Sequence, residues 1–249
     1  MLKHKPSWFA SHLPDYVIIY ASKLAGCAGM HKYQSQIELK SELMAYIHRD
    51  DSYIHPDEKA KSMIEALPMP KREAIKSIME SNVITNVQTI QDVVKQVVDL
   101  KSVDKEIIDL VKSTLYTKNG THAEEGIRNK FESAVKTKVN TFTRFKTSDL
   151  PIAIINNVEV YIGGKHDGQM NDDTIIEIKN RQRGFLGVPI YEKVQVHAYM
   201  YIYGMKKAML VESYKGEERK HEMTFDDEFW SEVKNNVESF VESCQICNS

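Results

Sequence analysis

"GGKHDGQMNDDTIIEIKNR", residues 163–181, places Asp167 after two glycines and then sets Glu177 and Lys179 among isoleucines. The β-branched run around these two charges is typical of a buried strand. Because side chains alternate across a strand, Glu177 and Lys179 share one face, while Ile176 and Ile178 occupy the other. Charged side chains in such a run cost free energy unless they are paired or bind a ligand. The stretch therefore predicts a strand that carries a site.

Asp167 precedes Glu177 by ten residues, across a turn at "MNDD". If the two flanking strands pair, the two carboxylates and the Lys179 ammonium lie around one point. Carboxylate and carbonyl oxygens are the ligands that Mg²⁺ and Mn²⁺ prefer. A metal ion lowers the pKa of a bound water and stabilises charge on a phosphate, and a lysine beside it can position that water. The alternative is a surface salt bridge with Asp167 in an Asx-turn, which is the commoner explanation of a lone E-x-K.

The remaining pattern predicts an α/β chain of the α+β type. Residues 1–115 are mainly helical in pattern, with breaks at glycines and prolines. The catalytic core is expected over residues 116–249, where a helix after Gly120 is followed by hairpin strands, a helix over about 189–203, two more strands and a final helix from about Asp226. This order predicts a mixed sheet flanked by helices, without regular βα alternation. We expect a single domain over 1–249.

Bulk properties restrict the function classes. The chain of 249 residues carries 33 basic and 35 acidic residues, which argues against a general polycation but allows one basic groove beside an acidic site. No apolar run approaches the roughly 20 residues of a membrane span, and the N-terminus lacks the apolar region of a signal peptide. Three cysteines do not predict a disulfide framework and are interpreted as ordinary thiols. We expect an intracellular protein.

Several motifs carry a resemblance to a known family. "D-G-x₈-E-I-K", beginning at Asp167, resembles the signature of the PD-(D/E)xK nucleases, in particular the λ-exonuclease and YqaJ-like viral recombinase branch. "GTHAEEGIRNKFE" resembles the first helix of that branch, and "QVHAY" resembles its Q-x-x-x-Y motif. "ASKLAGCAGMHKY" resembles its N-terminal segment and aligns Ser22 and Tyr33. His166 stands where the family has a proline.

The resemblance implies a restriction-endonuclease-like core with a helical N-terminal region. It implies one or two Mg²⁺ or Mn²⁺ ions held by Glu124, Asp167, Glu177 and the carbonyl of Ile178, with Lys179 positioning the attacking water.

It also implies that Gln195 and Tyr199 contact DNA or orient the site. Tyr191 lies on the same helix face, one turn before Gln195, and is expected only to pack on the sheet.

Other candidate DNA contacts come from the residues themselves. The hydroxyl of Ser22 is suited to donate to a phosphate, with helix capping as the competing explanation. Arg181 and Arg183 follow the candidate strand and are suited to bind phosphates, and Phe185 to wedge against a base. A solvated loop is an equal alternative for these three.

We therefore expect a metal-dependent exonuclease that acts on the ends of double-stranded DNA in recombination, repair or viral genome processing. The alternatives are an endonuclease of the same superfamily and a non-catalytic DNA-binding recombination module. A single-strand annealing protein is a candidate partner. The oligomeric state is left open by the sequence.

Overall fold

The computed structural model describes residues 16–48, 50, 52–80, 92, 104–171 and 173–244. The chain divides into two compact units. The first unit comprises Met1–Asp51 and Lys130–Ser249, and the second comprises Ser52–Asn129. The single domain expected over 1–249 stays a prediction.

A first mixed sheet in the first unit is built around one central strand. Its members are β1 (Tyr16–Tyr20), β2 (Lys146–Thr147), β3 (Ala153–Ile155) and β4 (Val158–Gly164). Strand β1 lies parallel to β4, whereas β2 and β3 are antiparallel to it. The prediction of a helix over the segment that forms β1 is wrong. Its "VII" run is β-branched, which favours a strand. The strand pairs with β4, far along the chain, where Val17 lies opposite Val160.

A second mixed sheet in the same unit contains Glu177 and Lys179, the two charges in the isoleucine run. It has the order β5 (Gly168–Met170), β6 (Thr174–Asn180), β7 (Lys207–Tyr214) and β8 (Glu217–Thr224). The β5–β6 and β7–β8 pairs are antiparallel, and β6 and β7 are parallel. The predicted hairpins and mixed pairing are confirmed, although the strands form two sheets where one was expected.

The described residues form seven helices. They are α1 (Ala21–Cys27), α2 (Gln36–Ile47), α3 (Pro56–Glu65), α4 (Met69–Glu80), α5 (Lys105–Val135), α6 (Ile190–Tyr203) and α7 (Asp227–Glu242). Helix α6 ends at Gly204, whose φ of 68° is the left-handed conformation that glycine adopts without strain. Helix α7 begins after Asp226, whose carboxylate accepts a 3.0 Å hydrogen bond from the Phe229 N–H. Both boundaries match the sequence prediction.

The second unit has its own small core. Helices α3, α4 and α5 bury Ala60, Ile64, Ile75, Ile107, Leu110, Val111 and Leu115. Helix α5 is continuous through Gly120, where the sequence predicted a new helix to begin, because a glycine within a helix costs only about 1 kcal/mol. The sequence predicts amphipathic helices over residues 89–115, and the part from 89 to 103 lies outside the described residues, residue 92 apart.

The larger core belongs to the first unit and draws on α1, α6, α7 and both sheets. Helix α6 is buried along most of its length, which fixes the side chains that it presents to β6. Cys27 and Cys244 are buried thiols, and Cys247 lies outside the described residues. Among the helices that the structure describes, none is both long enough and apolar enough to cross a bilayer.

Candidate active site

Two carboxylates meet at the open end of the β5–β6 hairpin. Gly168 pairs with Ile176, so Asp167 and Glu177, the next residues outward, lie side by side. Asp167 Oδ2 accepts a 2.7 Å hydrogen bond from the backbone N–H of Ile178, which orients its carboxylate across the strand end. The pairing expected from the sequence is thus formed.

Two glycines allow this close packing. A Cβ on Gly168 would lie 2.2 Å from Val139 Cγ1, and one on Gly164 would lie 2.6 Å from Tyr199 Cε1. Real Cβ atoms do not come that near, so any larger residue would force β4, β5 or their neighbours apart. Gly164 and Gly168 therefore allow the close packing that the site around Asp167 requires.

Glu177 is a buried carboxylate with one unsatisfied oxygen. Its side chain is 5% exposed, and Oε1 accepts a 2.8 Å hydrogen bond from Lys179 Nζ. Oε2 is buried and has no hydrogen-bond partner among the described residues. Burial, followed by the negative charge of Asp167, raises the pKa of Glu177 to about 8, although Lys179 opposes this rise. A buried acceptor without a donor is costly, and a cation would satisfy it.

Lys179 connects the carboxylates to helix α6. Its Nζ donates to Glu177 Oε1 and, over 3.2 Å, to Gln195 Oε1. Burial alone would lower the pKa of Lys179, but the negative charge and hydrogen bond of Glu177 outweigh it and the pKa is raised. The ammonium therefore keeps its charge in a partly buried position.

Gln195 is itself held from the far side. Its Nε2 donates a 3.0 Å hydrogen bond to the hydroxyl oxygen of Tyr199, one helical turn later. Tyr199 is buried, and its pKa is raised by burial first and by the charge of Glu177 second, so the phenol keeps its proton. The Q-x-x-x-Y spacing thus lets Gln195 bind Tyr199 and Lys179 at the same time. Tyr199 contacts Lys179 only through Gln195.

The oxygen donors suit a hard divalent cation. Asp167 and Glu177 supply carboxylate oxygens at one point, and Glu177 Oε2 lacks a partner. Within the described part of the chain, no group of three or more His, Cys, Asp or Glu residues is arranged to hold a metal ion. The predicted further ligand Glu124 lies on α5 in the second unit, and its role stays a prediction together with that of the Ile178 carbonyl.

Arg181 lies in a buried ion-pair cluster that the sequence did not predict. Its Nη1 donates a 2.6 Å hydrogen bond to Glu192 Oε1, and its Nη2 donates one of the same length to Glu192 Oε2. Its Nε donates to Glu212 Oε1 over 2.5 Å. All three side chains are nearly or fully buried. The predicted phosphate contact of Arg181 stays a prediction, and it would require the guanidinium to leave these partners.

Glu212 extends the cluster to the loop after β6. Its carboxylate accepts from the backbone N–H groups of Leu186 and Gly187 and from His221 Nε2. The loop that carries Arg183 is therefore tied to β7. A signal was present in the sequence, because Glu212 stands in the apolar run "AMLVESY" just as Glu177 stands among isoleucines.

The other predicted DNA contacts differ in exposure. Ser22 on α1 and Arg183 in the loop are exposed, as a phosphate contact requires, and both stay predictions. Phe185 packs edge-on against Tyr214, and the guanidinium of Arg219 lies 4.1 Å from its ring centroid. In this arrangement Phe185 is already engaged by protein neighbours.

Without metal, the Glu177→Gln protein is expected to be more stable than the wild-type protein at pH 8, by at least about 1 kcal/mol. The folded-state pKa of Glu177, about 8, lies above its ordinary value of 4.5. Charging Glu177 therefore costs stability as the pH rises between these values, and glutamine avoids that cost. The difference should shrink towards pH 5, where the wild-type carboxyl holds a proton. Urea denaturation in EDTA at both pH values measures it.

Glu222→Gln on the exposed face of β8 is the matched control, and it should change stability little at either pH. A Glu177→Gln protein that is less stable than the wild type at pH 8 would contradict the burial of an uncompensated carboxylate.

Comparisons with known proteins concern the fold. No protein-family model matches the sequence, and no curated protein matches it. Among solved structures, the alkaline exonuclease from Laribacter hongkongensis is similar at 14% identity and a TM-score of 0.46, over 96% of this chain and 92% of that one. A phage-related exonuclease from Haemophilus somnus 129PT is similar at 13% identity and a TM-score of 0.43, over 92% and 93% of the two chains.

Proposed function

We propose that this chain is a metal-dependent deoxyribonuclease of the PD-(D/E)xK type that hydrolyses phosphodiester bonds at the ends of double-stranded DNA. The observation that supports this most strongly is the convergence of Asp167, Glu177 and Lys179 at one strand end. A salt bridge on a solvated face would leave the carboxylate exposed and its pKa near the ordinary value. Glu177 is instead buried, beside a second carboxylate, with one oxygen unsatisfied.

In the proposed reaction, a water attacks phosphorus and one P–O ester bond breaks, which leaves a phosphate on one product and a hydroxyl on the other. Asp167 and Glu177 hold one or two Mg²⁺ or Mn²⁺ ions, with Glu124 and the Ile178 carbonyl as further proposed ligands. A bound ion of this kind lowers the pKa of water and neutralises charge on the phosphate. Lys179 donates to the attacking water and keeps it in place, and Gln195 holds the ammonium in position.

The DNA is proposed to be bound by exposed groups around this centre. Ser22 and Arg183 are candidates for phosphate contacts, since both are accessible and belong to the unit that carries the site. A role in recombination, repair or viral genome processing, with an annealing protein as partner, belongs to the same proposal.

Digestion of an end-labelled linear duplex in parallel with a covalently closed circle tests the activity. We expect release of labelled nucleotides from the linear DNA with Mg²⁺, none with EDTA, and an intact circle. Substrates with and without a 5′ phosphate report the preferred end. Cleavage of the circle would assign an endonuclease instead, and DNA binding without hydrolysis would assign a non-catalytic module. Asp167→Asn is the control for a contaminating nuclease.

A further inference from the structure

An open cleft lined by aromatic and apolar side chains lies at the start of helix α6. Its volume is about 330 Å³, within the range of small-molecule sites. Its lining residues are Met30, Lys32, Tyr33, Leu186, Pro189, Ile190 and Tyr191. All of them belong to the first unit, and none takes part in the proposed hydrolysis.

Three aromatic rings, those of His31, Tyr33 and Tyr191, lie together at the cleft. The His31 and Tyr191 rings lie 4.5 Å apart between centroids, and the Tyr33 ring stands at 70° to that of Tyr191, 6.5 Å away. Tyr33 is 73% exposed, although a tyrosine usually buries much of its ring. An exposed tyrosine beside two further rings offers a stacking surface for a flat, aromatic ligand.

Both walls of the cleft are held by hydrogen bonds. On one side, Gln36 Nε2 donates to the Cys27 carbonyl, and the Ser35 hydroxyl accepts from the Glu38 N–H at the start of α2. On the other side, the buried carboxylate of Glu212 accepts from two backbone N–H groups of the loop that lines the cleft. A cleft with fixed walls stays open without its ligand, so the protein loses little conformational entropy when the ligand binds.

Charge and position indicate the ligand. The amine of Lys32 lies 4.8 Å from the Tyr33 ring centroid at the exposed rim, where it can meet a phosphate attached to a stacked base. Tyr191 precedes Gln195 by one helical turn, and Gln195 contacts Lys179. The cleft and the site proposed to cut DNA therefore share helix α6, and Tyr191 of the cleft lies one turn from Gln195 of the site. Tyr191 packs against the core, as the sequence predicted, and its ring also lines this cleft.

We propose that this cleft binds one unstacked base from the end of the DNA substrate, with Tyr33 as the main stacking group and Tyr191 and His31 behind it. This inference rests on the proposed nuclease function and adds a base-binding site to it. Base–aromatic stacking tolerates any sequence, because every base has a flat face. The cleft would hold the terminal base while the phosphate next to it reaches the carboxylates.

The test uses linear duplexes whose terminal nucleotide is either abasic or 2-aminopurine, in the Lys179→Ala background with Mg²⁺ to limit cleavage. The abasic end should bind roughly 5- to 100-fold more weakly than the normal end. The fluorescence of terminal 2-aminopurine should fall when the protein binds. In the Tyr33→Leu protein both effects should largely disappear. Tyr33 is exposed, so this change should not disturb folding.

Tyr16→Leu, at another partly exposed tyrosine, is the matched control and should keep both effects. Equal affinity for abasic and normal ends would overturn the base site and favour a protein segment as the occupant, while hydrolysis of linear DNA would leave the nuclease proposal standing. An unchanged fluorescence signal in the Tyr33→Leu protein would also overturn it. Absence of any DNA binding or hydrolysis by the wild-type protein would overturn both proposals.

Discussion

The Lys179→Ala protein is expected to hydrolyse linear duplex DNA about 10²- to 10³-fold more slowly than the wild-type protein at saturating Mg²⁺. The Lys179 ammonium is held by Glu177 and Gln195 and is partly buried, so its charge acts where water screens it little. No other amine forms hydrogen bonds to Glu177 among the described residues. Single-turnover rates on an end-labelled duplex measure the loss.

Two comparisons separate a catalytic loss from a structural one. Lys207→Ala removes an exposed lysine paired with Asp173 and should keep the wild-type rate. Lys179→Ala keeps both carboxylates, so Mg²⁺ should still raise its melting temperature. Asp167→Asn should lose both the rate and the Mg²⁺ effect. A Lys179→Ala protein that digests DNA at the wild-type rate would remove the central residue from the proposal.

The sequence predicted the part of the site that depends on local geometry. Two residues that are two apart on a strand share a face, and a tight hairpin brings its flanking residues together. These rules suffice to bring Asp167, Glu177 and Lys179 to one point. The helix boundary at Gly204 was similarly predictable, because it depends on a single backbone conformation.

What the sequence did not predict depends on distant pairing. Strand β1 was predicted as a helix because its parallel partner, β4, lies far along the chain. The cluster around Arg181 was missed for the same reason, since its partners follow 11 and 31 residues later. A charge in an apolar run signals that a partner exists without giving the partner's identity. For Glu124 the resemblance supplied a role, and its role at the site stays a prediction.

The Arg181→Ala protein is expected to be about 3 to 5 kcal/mol less stable than the wild-type protein at pH 8. The substitution would leave the buried carboxylates of Glu192 and Glu212 without their shared cation. Urea denaturation measures the loss, and the slope of the unfolding free energy against urea concentration should be the same for the variant and the wild type. Arg183→Ala, two residues further along the same loop but exposed, is the matched control and should stay within about 0.5 kcal/mol of the wild type.

The pH dependence of this loss distinguishes uncompensated charge from lost packing. In the wild-type protein, burial alone would raise the pKa of Glu212, but the Leu186 N–H, His221 and Arg181 together lower it. Glu212 therefore contributes stability above its unfolded-state pKa, and this contribution fades as the pH falls through the folded-state value. Without Arg181, burial should instead raise the pKa of Glu212, so the variant loses stability as the pH rises. Both effects make the difference in unfolding free energy between the wild type and the Arg181→Ala protein larger at pH 8 than at pH 5. A gap of equal size at the two pH values would indicate that Arg181 stabilises the loop through its packing alone.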